Sequence, residues 1–147
     1  MQVLEEQEEF WFDEKRHRYF LGQRLIPSVT GILKDAGIIK FGGSQTELEN
    51  EAAMSRGRAV HKACELLDLG ELDWTTVVDE IDGYLMAYQK FMKDSGAKWR
   101  RIEEKMWSPM LYFAGTLDRE GTWDLGPNPI LLDIKTGRSQ PFTALQL

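Results

Sequence analysis

The sequence predicts an α/β domain: a central mixed sheet of about four strands flanked by helices, with an N-terminal β-hairpin in front. Three observations predict it. Two blocks between Ser44 and Ser95 carry apolar residues at helical spacing, each with capping residues ahead of it and a glycine behind it. After Gly96 the apolar period shortens to that of strands, broken by turn residues. Ahead of both, Phe10 to Ile26 alternates short aromatic or aliphatic runs with polar turns. At 147 residues the chain is expected to be one domain able to bury a core. Its 42% hydrophobic and 29% charged residues are those of an ordinary globular protein. No apolar run approaches the ~18 residues of a membrane span, and the acidic start, Met1 to Phe10, lacks a signal-peptide pattern.

Taken in order, Phe10-Trp11-Phe12, Arg18-Tyr19-Phe20-Leu21 and Arg24-Leu25-Ile26 are strand-like, separated by the charged turn Asp13 to His17 and by Gly22-Gln23. Pro27 ends the hairpin, and Ser28 to Leu33 leads into a short helix that stops near Gly37. After the loop Phe41-Gly42-Gly43, Ser44 or Thr46 followed by Glu47 or Glu49 forms a capping-box signature for a helix running to about Leu69, with Gly70 as its stop. Leu48, Ala52, Ala59, Ala63, Leu66 and Leu67 are expected on its core face. Gly57 and His61 lie four residues apart on one face, where the glycine permits close approach by another element or a ligand. A third helix is expected from Trp74 to Ser95, capped by Asp73 and stopped by Gly96, with Val77, Ile81, Leu85 or Tyr84, Tyr88 and Phe91 or Met92 as a packing stripe whose aromatics carry no chemistry. Lys98–Trp107 and Leu111–Asp118 form strands about Ser108-Pro109. The turn-rich Gly121 to Pro129 leads to a last strand, Ile130–Lys135. Phe142 to Leu147 begins a helix with Pro141 near its first turn.

Charge and cysteine content narrow the function classes. A net charge of −6 excludes a general nucleic-acid coat protein, which needs clustered Lys and Arg to neutralise phosphates, but permits a local basic groove. The single Cys64 excludes an internal disulfide, reads as a core residue, and fits a reducing cytoplasm.

The chemistry concentrates at Leu131-Leu132-Asp133-Ile134-Lys135-Thr136-Gly137. On a strand, Asp133 and Lys135 would project from one face and Ile134 from the other. Ala114-Gly115-Thr116-Leu117-Asp118 supplies a second carboxylate at a strand end, Glu103 or Glu104 lies on the preceding strand, and His61 sits on the covering helix. Two or three carboxylates completed by water suit Mg²⁺ or Mn²⁺, and an imidazole favours Mn²⁺. Such a cation activates water and neutralises a phosphate under attack, with Lys135 stabilising the developing negative charge. Singly, each residue has a plainer reading: an aspartate as a turn cap, His61 as a boundary histidine, Lys135 as a surface partner of Asp133.

Together, Gly57-Arg58-Ala59-Val60-His61, a strand glutamate, Gly115-Thr116-Leu117-Asp118, Asp133-Ile134-Lys135-Thr136-Gly137 and a following glutamine resemble the PD-(D/E)XK nuclease superfamily, in particular its RecB-like and phage-type exonucleases, which include the CRISPR-associated RecB-like nucleases. Tyr19-Phe20-Leu21-Gly22 and Pro27-Ser28-Val29-Thr30 are similar to the N-terminal hairpin of phage-encoded members. The resemblance implies a restriction-endonuclease-like core and one nuclease domain over residues 1–147. It implies Asp118 and Asp133 as the two acidic positions, Lys135 as the lysine, and His61 as an added metal ligand. Glu103 is the upstream glutamate on its spacing to Met106, Trp107 and Ser108, with Glu104 as the alternative. Gln146 matches the first residue of a Q-x-x-x-Y motif, whose tyrosine has no counterpart before Leu147, so the domain is expected to be truncated or covered by a partner chain.

The implied activity is Mg²⁺- or Mn²⁺-dependent hydrolysis of DNA phosphodiesters, as an exonuclease in recombination, repair or phage DNA processing, in a bacterial cytoplasm. Arg58, Thr116, Thr136 and Gln146 are the expected substrate contacts. Arg56, Lys62, Arg119 and Arg138 are candidates for a positive rim, and no base-reading element stands out. Expected partners are DNA and a second copy or a recombination protein, with no membrane. The rival is a catalytically idle nucleic-acid-binding or assembly module that keeps the fold.

Overall fold

The computed structural model describes residues 8–39 and 46–137, a mixed α/β chain that divides into two units: 8–39 with 105–116, and 46–104 with 117–137. The expected helix over 142–147, Gln146, Arg138 and the expected loop at Phe41 lie outside the described residues. Among the described residues, the strands form two three-stranded antiparallel sheets, and no helix is long and apolar enough to cross a membrane.

In the first unit, β1 (Phe10–Asp13), β2 (Arg18–Leu21) and β3 (Arg24–Ile26) form a meander, with Phe12 opposite Tyr19 and Tyr19 opposite Ile26. Strand alternation sends Tyr19, Leu21 and Ile26 to one side, where with Ala114 they make the unit's core, packed by Phe10, Phe12 and Trp107. Trp11 and Phe20 take the other side and stack at 4.4 Å. Helix α1 (Val29–Asp35) starts at Ser28, whose side chain accepts the Gly31 N–H at 3.0 Å.

The second unit packs two helices with residues 98–104 of β4 (Lys98–Ser108), residues 117–122 of β5 (Phe113–Thr122) and β6 (Ile130–Leu132), and β5 is the central strand of this sheet. Helix α2 (Glu47–Asp68) opens with a capping box: the Thr46 side chain accepts from the Glu49 N–H at 3.3 Å, and Glu49 accepts from the Thr46 N–H at 2.8 Å. Its buried residues, Val60, Ala63 and Cys64, meet Ile81, Leu85 and Tyr88 of α3 (Asp79–Ser95), with Leu132 and Ile134 packed against them.

Four elements differ from the sequence expectation. The core face of α2 is Val60, Ala63, Cys64 and Leu67, a 3-4-7 stripe, whereas Leu48 is 77% exposed because only the second half of the helix meets α3. Helix α3 starts at Asp79 and not at Trp74; Asp73 instead caps a 3₁₀ turn over Trp74–Thr76, and the β-branched run Thr75 to Val78 delays the α-helix. Strand β5 starts at Phe113, after Tyr112 takes a left-handed turn conformation (φ 53°), and continues beyond Asp118 to Thr122. Gly121 makes this extension possible, since a Cβ there would lie 2.0 Å from the Lys98 carbonyl oxygen. Strand β6 stops at Leu132, so Asp133 and Lys135 lie just past a strand and not within one. The reason is that the Ile134 backbone is committed to side chains of the site and not to a neighbouring strand.

Candidate metal centre

Helix α2 presents His61 beside the buried Val60 and one turn before Cys64 and Glu65, on the part of the helix fixed by α3. Its Nε2 lies 2.8 Å from the Ile134 carbonyl oxygen. A carbonyl only accepts, so Nε2 carries the proton and the Nδ1 lone pair faces the other way. There it meets two carboxylates, Glu103 Oε1 at 3.1 Å and Asp118 Oδ2 at 3.7 Å. The Ile134 N–H donates to the same Asp118 Oδ2 at 2.7 Å. One peptide residue thus orients both the imidazole and the carboxylate.

Glu103 reaches this point through an irregularity in β4. Its φ is 49°, a left-handed conformation that a non-glycine residue adopts only at a cost of order 1–3 kcal/mol. The buried–exposed alternation of β4 breaks there, with Arg101, Ile102 and Glu103 all half-buried. Glu104 is exposed and lies 3.5 Å from Arg101, so of the two glutamates it is Glu103 that faces His61. Ligand atoms of His61, Glu103 and Asp118 all lie within 4.8 Å of one another.

Asp133 stands outside that trio. Its Oδ2 is buried, accepts no hydrogen bond among the described residues, and lies 3.0 Å from Lys135 Nζ. Lys135 is exposed at 45% of its side chain. Thr136 turns its carbonyl oxygen to the Tyr84 hydroxyl at 3.2 Å, and its Oγ1 would be 3.5 Å from a Cβ at Gly57. That is ordinary contact, so the glycine faces the Thr136 loop without being forced by it.

The electrostatics follow from crowding. Burial disfavours the Asp118 carboxylate, and the Asp133 and Glu103 charges add to this. Its pKa rises to about 6 against the opposing pull of His61 and the Ile134 N–H. Burial would lower the His61 pKa, but the Glu103 hydrogen bond and the Asp118 and Glu103 charges lift it above the ordinary value. Burial would raise that of Glu103, yet His61 and then Arg119 hold it low. The arrangement wants positive charge between Nδ1 and the carboxylates, and a proton or a cation provides it.

The expected positive rim is corrected at Arg119. This side chain is fully buried, with Nε 2.7 Å from Asp68 and Nη1 2.9 Å from Glu103. Asp68 and Tyr88 were invisible as polar site residues in the sequence, where one ends a helix and the other sits on an apolar stripe. The available signal was an arginine directly after Asp118 on a strand running into a buried glycine. Of the remaining basic residues, Arg56 lies 3.7 Å from Glu80 and Lys62 2.8 Å from Glu65. Arg58 is exposed and makes no ion pair among the described residues. Thr116 hydrogen-bonds the Tyr19 hydroxyl at 2.7 Å.

In comparisons with protein families, with curated proteins and with solved structures, none matched this chain.

Proposed function

We propose that the chain is a Mg²⁺- or Mn²⁺-dependent deoxyribonuclease of the PD-(D/E)XK superfamily, of the RecB-like, phage-type exonuclease branch, with β4, β5 and β6 as part of a restriction-endonuclease-like core built on a mixed sheet of about four strands. The observation that carries this reading is the His61 Nδ1 lone pair held between Glu103 and Asp118 by the backbone of Ile134, the residue between Asp133 and Lys135.

The residues fit a hard divalent cation. One imidazole nitrogen and two carboxylates converge from three elements, and the buried Asp133 Oδ2, with the Lys135 ammonium 3.0 Å away, accepts no hydrogen bond among the described residues. His61, Glu103, Asp118 and Asp133 would hold the cation. When bound, it supplies an activated water and charge neutralisation at the phosphorus. The chain contributes the rest: Ile134 fixes the tautomer and angle of His61 and one oxygen of Asp118, and Lys135, exposed beside Asp133, orients the nucleophile and balances charge developing on the phosphate. Exposed Arg58, on the same helix as His61, would meet a phosphate backbone together with Thr136, whose Oγ1 faces Gly57 of that helix.

Incubation with end-labelled linear and circular duplex DNA in Mn²⁺ tests this. Release of nucleotides from linear DNA alone, abolished by Asp118→Ala and by Asp133→Ala, is the expected result. No cleavage by the wild type, with Asp133→Ala binding DNA equally well, would leave the catalytically idle module as the answer.

A further inference from the structure

We propose that Arg119 is a positioning residue for Glu103, holding its carboxylate so that it meets the cation as a fixed ligand; this rests on the metal-centre reading above. Arg119 is the largest fully buried side chain among the described residues, and burial of a guanidinium is costly enough that an apolar residue of similar volume often serves stability as well or better. Its contacts point at the site. Nη1 donates to Glu103 Oε1 at 2.9 Å and to the Asp118 carbonyl oxygen at 2.6 Å. Nε donates to Asp68 at 2.7 Å and to the Tyr88 hydroxyl at 3.3 Å. That hydroxyl in turn donates to Asp68 and accepts from the Trp99 indole, both at 2.8 Å. The guanidinium plane is therefore set by α2, α3, β4 and β5 before it touches Glu103.

Two features make this consequential. Glu103 occupies a left-handed backbone conformation, so its own strand does not hold the carboxylate in place, and side-chain contacts must. One guanidinium also faces two carboxylates, Asp68 and Glu103. With Asp68 balancing Arg119, Glu103 keeps negative charge for a cation. A lysine offers a single ammonium where the arginine spans both acceptors through two nitrogens.

Titration calorimetry of Mn²⁺ into the metal-free full chain, with thermal melting of every variant, tests the role. Arg119→Lys, and Arg119→Met combined with Asp68→Asn so that no carboxylate is left unpaired, are expected to weaken Mn²⁺ binding about 10–100-fold. In a Glu103→Gln background the same changes should have little further effect, because Arg119 acts through Glu103. Tyr88→Phe, a milder change that removes one acceptor of Arg119, should weaken binding a few-fold and show the same dependence on Glu103. Wild-type affinity in a folded Arg119→Met/Asp68→Asn protein, or weakening that persists in full without Glu103, would overturn the role. If the wild type binds no Mn²⁺, the metal centre itself fails and this inference with it.

Discussion

At the level of single residues, the candidate site is a set of groups that compete for protons, and the stability of the chain follows their titration. Asp118 holds its proton up to about pH 6 when folded, against an ordinary value of 3.8, so this contribution is complete below about 3.8 and disappears as pH rises through 6. His61, also raised, adds loss in the same direction at higher pH. Glu103, held low, contributes above its ordinary 4.5 and loses its contribution as pH falls. The melting temperature of the metal-free chain is therefore expected to peak near pH 4.5 and to decline as pH rises from there, first through 6 on account of Asp118, which accounts for up to ~3 kcal/mol, and then as His61 loses its proton. Saturating Mn²⁺ should remove the decline; a flat metal-free profile would contradict the crowding. Cys64 belongs to the same buried region: burial pushes its thiol up to about 11, so it should resist thiol reagents at neutral pH until the chain is denatured. The candidate ligands His61, Glu103, Asp118 and Asp133 could be singled out from the sequence by residue type and order. Arg119 was misread, because an arginine beside a site aspartate looks the same whether it faces solvent or an internal carboxylate.

At the level of elements, backbone geometry decides what the site residues can reach. Gly121→Ala would place a methyl 2.0 Å from the Lys98 carbonyl oxygen and pry β5 from β4 next to Asp118 and Glu103. A destabilisation of about 2–4 kcal/mol is expected in denaturant unfolding. By contrast, Gly57→Ala meets only Thr136 Oγ1 at 3.5 Å, and relief of a mid-helix glycine should stabilise α2 by up to about 1 kcal/mol. Two helix caps were readable in advance, since Thr46 with Glu49 and Gly96 with φ 61° do what their residue types favour, whereas Asp73 caps a 3₁₀ turn and not α3. The strand ends were not. Strand β6 stops where Ile134 turns its peptide to Asp118 and His61, and β5 continues because Gly121 lets it, and both depend on partners far away in sequence.

For the whole chain, the second unit draws His61 from α2, Glu103 from β4 and Asp118 from β5, with Asp133 just past β6, so binding a cation there ties together segments that would otherwise separate on unfolding. At a free Mn²⁺ concentration 100 times the dissociation constant, the folded state should gain about 2.7 kcal/mol, read as a rise in melting temperature that Asp118→Asn abolishes. The α/β class, an N-terminal hairpin set apart from a second sheet and the two main helices could be read from periodicity; that the hairpin's third strand-like run pairs on as β3, and that β5 lies between β4 and β6, could not, because a pairing partner leaves no mark in local sequence. The Ile134 peptide carries one more consequence, for mutational tolerance. The site uses its N–H and its C=O, and its side chain only packs, so a saturation library at this position should accept other aliphatic residues with little loss. Proline, which has no N–H to offer, should be rejected, and a one-residue insertion or deletion between Leu132 and Lys135 should be as damaging as loss of a ligand.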